Sequence, residues 1–167
     1  MNEHGLISQT EFEWIRDAQL LVRYVPGVVL DVGSGSGLGS TLALLLGQAK
    51  AGTNKTVVCV DPWAGDVPEA HEDAFDSAMA EFKGRCRKVK AISARLWATL
   101  HEPVAFAFID SGIKANTFVD VFHAMKLASP GGIVAVHDKQ YPDVKTDLDN
   151  LGFALEAGES IRWAMKV

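Results

Sequence analysis

Several short stretches of this chain are apolar nearly throughout, and the longer stretches between them carry apolar residues at three- and four-residue spacing. The first kind predicts strands at 28–32, 56–61, 88–92, 104–109 and 132–137. The second predicts helices at 38–50, 72–83, 94–100, 117–128 and 144–151. Strands that are apolar on both sides belong to a parallel sheet covered on both faces, whereas a sheet with one wet face would alternate. Strand and helix units in this order predict a doubly wound, Rossmann-like α/β sheet with helices on both faces. Ahead of it, Thr10 and Glu13 have capping-box spacing, and Phe12, Ile15, Leu20, Val22 and Tyr24 predict a leading helix ending near Pro26-Gly27. At the other end, residues 153–156 and 161–167 are joined by Ala157-Gly-Glu-Ser160. So short a connection joins antiparallel neighbours and cannot make a crossover.

A chain of 167 residues reads as one domain, 1–167, with a leading helix over 1–27 and the core sheet over 28–167. Charged residues are 22% and the formal net charge is −5, so no global field draws the protein to nucleic acid. Cys59 and Cys86 lack metal-ligand spacing, which excludes a zinc site or disulfide framework from the expectations. The first residues show no basic segment leading into an apolar one, and no run approaches the roughly 18 apolar residues of a spanning helix. A cytoplasmic protein without membrane contact is expected.

The chemistry concentrates in Val28-Val-Leu-Asp-Val-Gly-Ser-Gly-Ser-Gly-Leu-Gly39, a strand that runs through an acid into alternating glycines and then a helix. Glycines let backbone approach a ligand closely, and the following helix points free N–H groups at the same place. The dinucleotide fingerprint G-x-G-x-x-G fits in neither register, because Leu38 or Ser40 falls where its last glycine belongs. A nicotinamide-dependent oxidoreductase is therefore the weakest reading. What fits is acid-x-Gly-x-Gly-x-Gly, formed by Asp31, Gly33, Gly35 and Gly37. This pattern resembles the first motif of class I S-adenosylmethionine-dependent methyltransferases.

Downstream residues extend the resemblance. Asp61 ends the second strand at the offset where an acid meets ribose hydroxyls. Asp61-Pro-Trp-Ala-Gly-Asp66 is similar to a signature of a group that includes small-molecule O-methyltransferases and cephalosporin hydroxylase-like proteins. The resemblance covers residues 28–167 and implies a seven-stranded sheet, mostly parallel with the last strand reversed. It implies that S-adenosylmethionine is held by Asp31, Gly33, Ser34, Gly35, Gly37, Asp61, Pro62, Trp63, Ser93, Ala94 and Asp110. Trp63 packs on the cofactor or covers the sheet edge. Ser93 and Ala94 come from Ile92-Ser-Ala-Arg-Leu-Trp97, after the third strand.

The fourth and fifth strands end in Asp110 and in His137-Asp138, on the carboxyl edge where ligands of such sheets bind. Asp110 and Asp138 are candidate ligands for a divalent cation such as Mg2+, which would lower the pKa of an acceptor hydroxyl. His137 is the candidate general base, so the expected catalytic set is His137, Asp138 and Asp110. The alternative for the pair is a strand end that bonds the next loop. Family members usually continue Ile-Asp-Gly-x-His-x-Tyr after the fourth strand, whereas this chain has Ile109-Asp-Ser-Gly-Ile-Lys-Ala115. With Ile113 and Ala115 at the polar positions, that role is lost or passes to His137 or Lys114.

Two further features bear on partners. Lys83-Gly-Arg-Cys-Arg-Lys-Val-Lys90 is a basic run without aromatics, expected as a solvated helix-to-strand loop away from the site. Tyr141-Pro-Asp143 is expected to begin the loop over the acceptor. The leading expectation is methyl transfer to a small-molecule acceptor, at oxygen. A cofactor-binding module with a decayed acceptor site is the alternative. The short leading segment leaves little material for a lid, which favours a homo-oligomer in which another subunit closes the site.

Overall fold

A computed structural model describes residues 7–63, 69–111 and 117–167. The first helix, α1 (Gln9–Ala18), precedes β1 (Val28–Val32), α2 (Ser40–Lys50), β2 (Val57–Asp61) and α3 (Glu69–Ala78). A 3-10 turn over Met79–Phe82 leads to β3 (Cys86–Lys90), followed by α4 (Ser93–Thr99), β4 (Val104–Ile109) and α5 (Thr117–Leu127). The chain closes with β5 (Ala128–Val136), α6 (Pro142–Asn150), β6 (Leu155–Ala157) and β7 (Ile161–Met165).

Seven strands form one sheet in the order β3-β2-β1-β4-β5-β7-β6. Pairings from β3 through β5 are parallel, and β7 runs antiparallel to both β5 and β6. The order reverses between β1 and β4, opening a crevice at the carboxyl ends of those strands. Alternate residues of the apolar strands feed two separate cores. Val29, Cys59, Phe106 and Phe108 pack with Phe12, Ile15, Leu44 and Leu45 on one face. Leu30, Val60, Ala107 and Ile109 pack with Leu96, Val121 and Leu148 on the other. Each of these side chains contributes roughly 2 kcal/mol over an exposed one, which is why neither face can be polar. Among the described residues no helix is long and apolar enough to cross a membrane.

Four local expectations are corrected. The helix cap is formed by Ser8 and Glu11, two residues before the expected Thr10 and Glu13, with each side chain bonded to the other's backbone N–H. Glu11 wins because it is buried and serves further partners, whereas Glu13 is exposed. The helix ends at Ala18 and continues as turns that leave Tyr24 exposed. The basic run is no loop: its second half is the edge strand β3, expected at 88–92 and found at Cys86–Lys90. Arg87 pairs with Glu102, Lys88 with Asp76 and Glu72, and Lys90 with Glu72. Charges on an edge strand discourage pairing with another chain. Finally, β5 begins directly after α5, at Ala128, through a register irregularity opposite Val104 and Phe106.

Helices α1 and α2 cross at Gly47, where an added Cβ would stand 2.3 Å from the Arg16 carbonyl oxygen and 2.5 Å from Gln19 Cγ. Helix propensity alone favours alanine there by about 1 kcal/mol. Contact with backbone outweighs that gain, so Gly47→Ala is expected to lower stability by about 2 kcal/mol in urea unfolding. A more stable variant would contradict the close crossing.

Candidate functional site

The glycine loop follows β1 and has three glycines with positive φ, each held for a different reason. A Cβ on Gly33 would stand 2.1 Å from the Asp110 carbonyl oxygen, so glycine here lets the ends of β1 and β4 approach. On Gly37 it would meet Phe75 and Met79 at 2.9 and 3.2 Å. On Gly35 it would meet nothing within 4 Å among the described residues, so the apex of the loop is open there. Ser34 ties the loop back by donating its hydroxyl to the Asp31 carbonyl at 3.0 Å.

Asp31 itself lies below the loop, fully buried. Its Oδ2 accepts from the Thr41 hydroxyl at the start of α2, while Oδ1 has no hydrogen-bond partner among the described residues. Burial pushes this carboxyl up to about 6 against the opposing hydrogen bonds of Thr41 and Ser40.

Asp61 clamps the loop from the second strand. Its Oδ2 accepts from Gly35 N–H at 3.0 Å and its Oδ1 from Trp63 N–H at 2.8 Å. Trp63 closes the circuit by donating its indole N–H to the Gly35 carbonyl at 2.8 Å. Its ring is buried, 4.9 Å from the Phe75 centroid, with the Lys88 ammonium 4.9 Å from its own centroid. A φ of 40° places Trp63 in the left-handed region that bulky residues seldom enter, so these bonds hold a strained turn in place.

Across the crevice, Asp110, His137 and Asp138 present potential ligand atoms within 4.8 Å of one another. His137 Nδ1 lies 3.4 Å from Asp110 Oδ1 and 3.3 Å from Asp138 Oδ1, while Nε2 lies 3.7 Å from Glu11 Oε2. These separations are long for hydrogen bonds and describe ion pairs. Burial alone would depress the imidazole, but the carboxylates of Asp110 and Glu11, with the charge of Asp138, raise it to about 10. Burial would likewise raise Glu11, yet His137, Ser160 and Ser8 hold it far below the usual carboxylate range. Ser160 gives Glu11 Oε1 both its N–H, at 2.9 Å, and its hydroxyl, at 2.6 Å.

The profile of a methyltransferase domain family matches residues 30–139, which include the glycine loop, Asp61, Asp110, His137 and Asp138. The chain belongs to this methyltransferase family. Its fold is that of the class I S-adenosylmethionine-dependent enzymes. The structure of the O-methyltransferase NovP has a TM-score of 0.79 at 17% identity, covering 99% of this chain and 83% of that one. An rRNA methylase from Streptococcus thermophilus has a TM-score of 0.70 at 16% identity, covering 98% of this chain and 99% of that one. The O-methyltransferase from Bacillus cereus, in complex with SAH, has a TM-score of 0.69 at 20% identity and coverages of 96% and 82%. No curated protein sequence matches the chain.

Within this methyltransferase, the fold brings the predicted residues into two groups. Gly35, Asp61 and Trp63 are bonded to one another, and Asp110, His137 and Asp138 cluster together. Trp63 packs against Phe75. Pro62 is half-buried beside Asp61, and Ser93 and Ala94 begin α4 on the same carboxyl edge. Tyr141 is exposed at the start of α6. Ile113, Lys114 and Ala115, together with Gly65 and Asp66 of the second signature, lie outside the described residues. Glu11, Thr41 and Ser160 were not foreseen. Nothing local in the sequence connects Glu11 with His137.

The buried Asp31 has a pH signature. Its folded value, about 6, lies above the ordinary 3.8, so the folded state binds the extra proton between these values. Stability from this residue is fully present below about pH 4 and is lost as pH rises through 6. Asp31→Asn is expected to remove a decline of about 2 kcal/mol between pH 4 and 7, read by urea unfolding at both values. Parallel pH profiles for wild type and variant would contradict this.

Proposed function

We propose that this methyltransferase moves a methyl group from S-adenosylmethionine to a hydroxyl of a small-molecule acceptor. The observation that carries the reading is the open space over Gly35, flanked by Asp61 and adjoining the carboxyl edge that bears the Asp110, His137 and Asp138 cluster. The residues present fit the cofactor. Each Asp61 oxygen has accepted one backbone N–H and keeps a lone pair for a ribose hydroxyl. In this reading Gly33, Ser34, Gly35 and Gly37 offer backbone to the methionine part, with Asp31 supporting them from below. Pro62, Trp63, Ser93 and Ala94 flank the adenosine, and Asp110 borders both cofactor and acceptor. When bound, the cofactor supplies a methyl group made electrophilic by its sulfonium.

The chain's own residues align the acceptor and take its proton. Side-chain exposure is 8% for His137, 21% for Asp110 and 17% for Asp138, so an entering hydroxyl meets the carboxylates first. Asp138 and Asp110 are therefore the groups that receive its proton, with His137 behind them holding their orientation. The same two carboxylates supply hard oxygen donors suited to Mg2+, the metal-assisted form of the proposal. A cation there competes with the positive imidazole for one pair of carboxylates. A small acceptor is favoured over RNA because the basic residues of β3 are already paired with Glu72, Asp76 and Glu102.

The test joins thermal shift to a labelled-methyl assay over catechols, phenols, sugars and RNA, with Mg2+ or with chelator. Stabilisation by S-adenosylmethionine and S-adenosylhomocysteine, but not by NAD, is expected, and Asp61→Ala should abolish it. Asp138→Ala should lower turnover roughly 100-fold while keeping the shift. An equal shift with NAD would overturn the cofactor. A shift without any transfer would leave a binding module, and full activity in chelator would remove the metal.

A further inference from the structure

Behind the glycine loop, on the sheet face covered by α3, the two cysteines of the chain lie side by side as free thiols. In the parallel pairing of β2 with β3, Cys86 lies opposite Val57 and Cys59 opposite Lys88. The cysteines are thus one pleat repeat apart and point to the same face. Their sulfurs are 3.0 Å apart, against about 2.05 Å in a disulfide. The two thiols are not equivalent. Cys59 is fully buried, whereas Cys86 is half-buried and lines a cavity of about 320 Å³ with Phe75, Met79, Phe82 and Lys88. The hydrogen bond between them lowers the Cys86 thiol, against burial and the charges of Asp31 and Asp76, and raises the Cys59 thiol.

We propose that Cys59 and Cys86 form an oxidisable dithiol, a modification site at which a peroxide entering the cavity reacts with Cys86 and Cys59 then closes a disulfide. The Cys86 thiolate attacks a peroxide oxygen, the O–O bond breaks, and Cys86 becomes a sulfenic acid while hydroxide leaves and is protonated to water. Cys59 sulfur then attacks Cys86 sulfur, the S–O bond breaks, and a second water leaves with the Cys59 proton. Two thiols lose two electrons and one hydrogen peroxide is reduced to two waters. The cavity wall also supports the glycine loop: Phe75 and Met79 are the atoms against Gly37, and Phe75 packs on Trp63. Oxidation therefore occurs directly behind the cofactor loop, whatever that loop binds.

The experiment treats the native full chain with near-stoichiometric hydrogen peroxide, alkylates it after denaturation, and reads intact mass and peptide maps. The expected result is simultaneous loss of both thiols, a Cys59-to-Cys86 linked peptide, and recovery of both thiols with dithiothreitol. Cys59→Ser, folded by circular dichroism, should stop at a Cys86 sulfenic acid that dimedone traps. Two thiols still alkylated in the wild type, or Cys86 oxidised with Cys59 remaining free, would overturn the proposal.

Discussion

The imidazole of His137, held among three carboxylates, is the interaction on which the carboxyl edge of this molecule depends. Glu11 reaches it from the first helix, Asp110 from the end of β4, and Asp138 from the residue that follows. The same Glu11 carboxylate caps α1 through Ser8 and receives Ser160 from the turn between β6 and β7. Even that turn is shaped around it, since a Cβ on Gly158 would stand 2.5 Å from Glu11 Cγ. Buried charges are costly when alone, and removing one partner commonly costs 3–5 kcal/mol or roughly that order. Four separate parts of the chain are therefore required to stay together, and the charges that join them lie at one end of the candidate acceptor site.

The other half of the crevice is held by hydrogen bonds and close backbone contacts. Gly33 allows β1 and β4 to meet, and Asp61 fastens Gly35 and Trp63 by backbone N–H groups alone. A carboxylate that receives two N–H bonds is fixed in direction before any ligand arrives. The arrangement therefore spends little ordering entropy on binding, as preorganised sites do.

Much of this was legible in the sequence because the informative patterns are local. Strands apolar on both faces predicted the parallel sheet, and the register of Gly33, Gly35 and Gly37 after Asp31 pointed to the methyltransferase family that the profile match shows. Asp61, Asp110, His137 and Asp138 were singled out because each lies at the carboxyl end of a strand, on one edge of the sheet. The basic run was misplaced because an edge strand is half exposed, so its charges hid the apolar pattern that marks inner strands. Glu11 was missed for a different reason. Its cap is encoded within three residues, but its partnership with His137 and Ser160 exists only after the sheet has closed.

The neighbouring carboxylates keep His137 charged and so bind α1, β4, β5 and the β6–β7 turn together. The most direct test is NMR titration of the His137 imidazole, assigned by comparison with His137→Asn. The ring is expected to stay protonated through neutral pH and to lose its proton only near 10. Titration near the ordinary 6.5 would contradict the claim.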